Sequence, residues 1–209
     1  MASPHTIQRA DLSDWTLMTA IHDALRRDLD ELLHTTTSRP AAQARWIVFR
    51  DHLHFHLAAE NTAVWPLARA RLTGDPHGQA LLDAMEDEHG LIGPLQALTD
   101  DAFTMHADPW RLRKLLTRLR TKLTSHLAHE EADALPLIGR IMSQRELSRI
   151  ARAIRGGPSI QHASLTVPWV LAHASPNVRD QVLSQLPAPG RLLYRTVWRP
   201  RYTRNTMPL

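Results

Sequence analysis

Apolar positions in the first two thirds of the chain recur at intervals of three and four, the period of an amphipathic α-helix. Met18, His22, Leu25, Leu29 and Leu32 line one face of a first predicted helix, from about Ser13 to His34. Ser13 is placed to cap it and TTTSRP ends it. A second helix starts near Pro40, a residue suited to a first turn, and runs to about Leu72. Pro66 is expected to kink it or end its regular part, since proline lacks the N–H that helix propagation needs. TGDPHG is a loop. The third helix runs from about Gly78 to Phe103, with Leu82, Met85, His89 and Ile92 in line and Pro94 expected to kink it. Asp108 and Pro109 cap and open a fourth, to about Leu135, whose inner face carries Leu116, Leu119, Leu123, His126 and Glu130. Strand alternation is essentially missing. Such helices span roughly 30–45 Å, and their short connections favour antiparallel neighbours. The pattern predicts an all-α protein: an antiparallel up-down-up-down four-helix bundle over residues 13–142.

Beyond it the pattern changes. Ser143 and Glu146 form a capping box, so a short fifth helix of about ten residues follows. From Gly156 come GGP, several prolines and two short amphipathic pieces, near Pro176–Gln185 and Pro189–Trp198. Residues 143–209 are expected to be a helical extension packed on the bundle. Charge separates the two parts further. Residues 150–209 hold eight arginines against Asp180 alone, a net of +7 that leaves −3 for the rest of a +4 chain.

One pattern occurs twice: His, three residues, Glu, five residues, Pro. HLAAENTAVWP supplies His56, Glu60 and Pro66, and HLAHEEADALP supplies His126, Glu130 and Pro136. A spacing of four puts imidazole and carboxylate on one helix face, one turn apart. The repeat is wider than the motif. His22 precedes His89 by 67 residues and His56 precedes His126 by 70. Each helix pair therefore offers one His, then one His plus one Glu. A pseudo-twofold bundle would gather all six in its core. Four imidazoles and two carboxylates suit two borderline divalent ions such as iron, manganese or zinc. Imidazoles would end-cap the pair, and carboxylates would bridge it at the roughly 3.5–4 Å spacing of dinuclear sites. Positions left open on redox-active metal mean dioxygen, peroxide or nitric oxide chemistry.

Composition narrows the alternatives. The chain has 209 residues, enough for a real core, and 13 histidines, several where a leucine would be expected. Cysteine is absent, so there is no disulfide framework, thiolate ligand or cysteine nucleophile; a cytoplasmic location is expected. MASPHTIQRADLSDW has no apolar stretch of a signal peptide, and no apolar run approaches the roughly 20 residues of a membrane span. No nucleophile or substrate pocket separate from the metal site is legible. His52, one turn before His56, is a candidate for a further ligand or for a donor behind the ligands, while His54 points elsewhere. His129 and Asp133 form a pair rotated away from His126. Glu86, Glu88 and Glu131 read as a solvated face.

IHDALRRDL, HLAAENTAVWP, MEDEH and HLAHEEADALP resemble, in order, the four helix motifs of the hemerythrin-like (HHE cation-binding) family, over about residues 14–140. The resemblance implies an antiparallel four-helix bundle around a non-heme diiron centre. His22 and His56 would bind one iron and His89 and His126 the other, with Glu60 and Glu130 bridging. Family roles range from reversible dioxygen binding to oxygen or iron sensing, nitric oxide protection and peroxide removal. One position departs. Oxygen carriers of the family place a further His one turn before the one matching His89; here Met85 stands there. Thioether sulfur is a poor ligand for ferric iron, so either the second iron is less saturated or Glu86 or His52 fills the gap, and reactivity or sensing is expected over storage. The tail is similar to C-terminal extensions of some bacterial, especially actinobacterial, members.

Two functions follow. One is oxidative-stress defence by a diiron protein that binds or turns over dioxygen, peroxide or nitric oxide, with catalase-like chemistry if it is an enzyme. The other is a non-catalytic oxygen, iron or redox sensor whose basic tail contacts a partner such as nucleic acid or an anionic membrane. A ferritin-like carboxylate oxidase needs Glu-x-x-His on two helices, and only Glu86 with His89 has that spacing. A bundle without metal would bury four histidines and two glutamates uncompensated.

Overall fold

The computed structural model describes residues 15–34, 39–154 and 160–206, all of them in helices or the turns between them. Helix α1 spans Thr16–His34, α2 Arg39–Ala59, α3 Trp65–Arg71, α4 Pro76–Thr104, α5 Pro109–His129 and α6 Leu135–Ile141. Glu60–Val64 joins α2 to α3 as a π turn, and Glu130–Ala134 does the same between α5 and α6. Four long helical rods therefore form a bundle, in which α1 lies against α2 and α5, and α4 against α5. The predicted inner stripes are its core: Met18, Leu25, Leu29 and Leu32 from α1, Leu82, Met85 and Ile92 from α4, and Leu116, Leu119 and Leu123 from α5 are all buried. At about 25 cal/mol per Å² this apolar burial is the main stabilising term.

Helix starts follow local chemistry. Asp75 accepts from the backbone N–H groups of His77 and Gly78 and opens α4, after Gly74 turns the chain at φ +86°. Asp108 accepts from Arg111 N–H at 2.9 Å and opens α5. The cap at Ser13, the end of the first helix at residues 35–38 and the GGP stretch lie outside the described residues.

At Pro66 the regular part of the second helix ends as expected, and it does so through a wider turn: Trp65 N–H bonds to Glu60 C=O, and helix α3 then continues the rod. Pro136 follows the same rule, with Leu135 N–H on Glu130 C=O. The wide turn carries the preceding carbonyls out of the proline ring's way. At Pro94, α4 runs on as one helix.

After the bundle come α7 (Gln144–Ile154), α8 (Ile160–Leu171), α9 (Pro176–Ser184), α10 (Ala188–Leu193), a third π turn (Tyr194–Trp198) and α11 (Arg199–Thr206). The capping box at α7 is closed: Ser143 N–H and Oγ–H donate to Glu146 Oε2 at 2.9 and 2.6 Å, and Arg71 holds Oε1 at 2.6 Å. Helix α8, absent from the sequence pattern, is the anchor of the extension. Trp169 is buried and donates Nε1–H to Asp28 Oδ2 on α1 at 2.7 Å. Its ring stacks on His52 of α2, centroids 3.9 Å apart and nearly parallel. Among the described residues no helix is long and apolar enough to cross a membrane.

Candidate metal centre

Helices α1, α2, α4 and α5 each turn one histidine into the middle of the bundle: His22, His56, His89 and His126, all buried. The two π turns add Glu60 and Glu130 at their first residues, both with no exposed surface. The donor atoms fall into two overlapping groups. His22, His56, Glu60 and Glu130 form one; Glu60, His89 and His126 form the other. The imidazoles pair accordingly, His22 with His56 and His89 with His126, at centroid separations of 5.0 and 4.6 Å.

Glu60 belongs to both groups. Its Oε1 lies 3.1 Å from His56 Nε2, and its Oε2 lies 3.3 Å from His89 Nε2. Glu130 Oε2 lies 3.3 Å from His22 Nε2. None of these contacts is a hydrogen bond: His22 Nε2, His56 Nε2 and all four carboxylate oxygens are buried without such a partner. An unsatisfied buried polar atom costs about 1–3 kcal/mol, more if charged. Six together would cancel much of a usual stability of about 5–15 kcal/mol. A cation at their centre satisfies them all.

The outer ring nitrogens make the same point. His22 donates Nδ1–H to Glu131 Oε1 at 2.7 Å, His89 to Asn61 Oδ1 at 2.9 Å, and His126 to Glu88 Oε2 at 2.8 Å. With the proton on Nδ1, each Nε2 presents a bare lone pair inward. Those of His89 and His126 face each other at 3.0 Å. Two lone pairs at that distance repel; two ligand nitrogens at right angles on one ion, each about 2.1 Å from it, stand about 3 Å apart. The residues present fit a metal.

Electrostatics of the protein alone agree. Burial, then the nearby Glu130 charge, pushes the Glu60 carboxyl well above its usual range. Burial pushes His56 well down, and takes His89 to about 3 with help from His126. His22 is the exception: burial opposes charge, but Glu130 and Glu131 outweigh it and raise the ring to about 9, so without metal this ring carries a second proton that an ion on Nε2 would displace. Glu131 resists its own partial burial through His22 and a two-pronged Arg26 contact, and falls to about 2.

Other candidates lie elsewhere. His52 is not part of either group: its ring is taken by Trp169, and burial lowers it to about 4. Glu86 is half exposed and paired with Arg69 at 3.0 Å. Met85 is fully buried in the core. Glu88 and Glu131, read from sequence as a solvated face, instead brace rings of the histidine cluster, and Asn61, which the sequence reading does not single out, does the same. A signal was available: Asn61 and Glu131 each follow a repeat glutamate directly. His129 shares Glu88, through Nδ1 at 2.8 Å, and stays outside the groups.

No curated protein and no solved structure matches the chain. Residues 13–138, well over half of it, match the Hemerythrin HHE cation binding domain. With a buried His and Glu cluster at the heart of that stretch, the chain is a member of the hemerythrin HHE cation-binding family and carries its metal-binding module.

Proposed function

We propose that this protein is a non-heme diiron protein, its four long rods in up-down-up-down order, that reacts with dioxygen, peroxide or nitric oxide. His22 and His56 would serve one iron and His89 and His126 the other; Glu60 would be shared between them, and Glu130, grouped with His22 and His56, would complete the first position. The observation that carries this reading is Glu60, whose two oxygens face imidazoles of different pairs. Manganese or zinc would suit the same donors; iron supplies the redox electrons and the positions for a small ligand. The chain's own part is to hold four Nε2 lone pairs and two carboxylates together and to keep bulk water out, with Trp65 fully buried beside His89.

Met85 supports reaction over storage. It is buried one turn before His89, and the group containing His89 has three donor residues where the other has four. The test is metal analysis of the purified protein, then anaerobic reduction and separate exposure to oxygen and peroxide. Two irons per chain and oxygen release from peroxide are expected. A parent that releases no oxygen, matched by His56→Ala and His126→Ala, sinks the peroxide reaction; a stable oxygen adduct means a carrier or sensor.

One observation favours the sensor as a second reading. Trp169 is anchored on Asp28 of α1 and His52 of α2, the helices that carry His22 and His56. Movement at the metals would reach the basic extension through that anchor. Salt-sensitive binding to DNA or anionic liposomes, lost on deleting residues 157–209, supports it; binding retained in the deletion excludes the extension as the contact.

A further inference from the structure

The twofold repeat extends to the residues behind the ligands, where its chemistry stops being symmetric. In register, His22 corresponds to His89 and Glu60 to Glu130, so Asn61 corresponds to Glu131 and Ile21 to Glu88. The residue after each glutamate reaches across the bundle to the single histidine of the other half. Glu131 takes His22 Nδ1–H at 2.7 Å, and Asn61 takes His89 Nδ1–H at 2.9 Å. One is a carboxylate, itself held by Arg26 at 2.8 and 2.9 Å; the other is an amide. The residue before the single histidine differs as well. Glu88 accepts His126 Nδ1–H at 2.8 Å, while Ile21 has nothing to offer, and His56 Nδ1 has no hydrogen-bond partner.

We propose that Glu131, Asn61 and Glu88 are positioning residues that fix three ligand rings with Nε2 inward, and that the unequal donor sets and the unequal bracing behind them make the two metal positions inequivalent. A carboxylate behind an imidazole makes it a stronger donor than an amide does. The position of His22 has four donor residues and the Glu131 carboxylate, so it fills first. The position of His89 and His126 has three donor residues, and its one outer carboxylate, Glu88, is shared with His129 at 2.8 Å. It fills second.

This inference rests on the metal-centre reading, and one experiment separates the two. The full chain, stripped of metal, is titrated with cobalt(II) and followed by its ligand-field absorption, beside Glu131→Gln, Glu88→Gln and Asn61→Asp. Glutamine keeps the shape and the accepting oxygen but not the charge, so a merely structural hydrogen bond survives it. In the parent, two resolved steps are expected. Glu131→Gln weakens the first step about 10–100-fold and shifts its bands; Glu88→Gln does the same to the second; Asn61→Asp tightens the second. A melting curve of each metal-free variant confirms that it is folded. Two steps in the parent that none of the variants moves, or that every variant moves alike, overturn the inference and leave the metal centre standing. A parent that takes up no cobalt or iron overturns both.

Discussion

The Glu60 carboxyl group is fully buried, and neither oxygen has a hydrogen bond, so it strains the metal-free protein and, on the proposed metal-centre reading, would serve the loaded one. Glu60→Gln should therefore have opposite effects in the two states. With chelator present the variant should melt at or above the parent, because it replaces a carboxyl group whose ionisation burial and Glu130 oppose by a neutral amide, a relief of about 1–3 kcal/mol. With saturating iron(II), kept anaerobic, it should melt below the parent, because ligand-linked stability scales with affinity. Melting curves in the two buffers check this, and a variant less stable than the parent in chelator would contradict the strain. Glu146 is the contrasting case, a carboxylate with every partner it needs. Ser143, then Arg71, hold it down to about 2 from an ordinary 4.5. A folded-state value below the unfolded one means stability that is complete above about pH 4.5 and fades as the pH falls through about 2. Glu146→Gln should cost about 1–2 kcal/mol at pH 7 and progressively less below pH 4.5. A gap in melting temperature that persists unchanged at pH 2 would show that charge is not its source.

At the scale of elements, the three π turns share one feature, and it is not a ligand. Glu60–Val64 precedes Pro66 by one intervening residue, Glu130–Ala134 stands in the same relation to Pro136, and Tyr194–Trp198 to Pro200. The third has no metal-binding residue, and Arg199 N–H still bonds to Tyr194 C=O. Among the described residues a proline two positions on is thus common to the three wide turns, although Pro94 and Pro168 sit in unbroken helix, and the first two turns set Glu60 and Glu130 beside the histidines. Pro66→Ala restores an N–H and lets the helix close into regular α register. One residue fewer in the turn rotates α3 by about 100° against α2. Circular dichroism should keep the parent's helix content while metal uptake falls at least tenfold; unchanged uptake would separate the turn from the site. This also explains what sequence periodicity could and could not reach. Four rods, the caps at Asp108 and Ser143 with Glu146, and the convergence of six inward residues follow from spacing within a helix. The π turns do not, because proline reads as a breaker until the compensating turn is seen. Helix α8 was missed for a related reason: Pro168 and Val167 argue against helix locally, and the burial of Trp169 is what holds it. His52 sits in the right register for a ligand, and only its partner Trp169, over a hundred residues away in sequence, takes its ring out of the site.

At the scale of the whole molecule, bundle and extension meet through a small set of groups. Asp28 is buried and held from two sides, by Arg27 at 2.7 Å and by Trp169 Nε1–H at 2.7 Å. His52 stacks on a face of the indole, and His162 of α8 lies tilted against Phe55, centroids 3.7 Å apart. Trp169→Ala should cost about 3–5 kcal/mol from lost packing, and Trp169→Phe about 1–3 kcal/mol from the stranded Asp28 carboxylate. Acid should loosen the same contact. Burial first, then the charges of His162 and Arg27, lower His52 to about 4, with Asp51 opposing. The folded protein therefore keeps this ring neutral while the unfolded chain protonates it near 6.5, so stability present above pH 6.5 is lost as the pH falls toward 4. His52→Phe preserves a flat ring against Trp169 and removes the titration. In chelator, so that metal release does not intervene, parent and variant should melt within a few degrees of each other at pH 7. At pH 4.5 the variant should lead by about 2 kcal/mol, or roughly 5 °C for a chain of this size. His22, His56 and His89 are unchanged between the two proteins and drop out of the comparison. A gap that does not widen with acid would mean that His52 is a packing surface for the extension and nothing more.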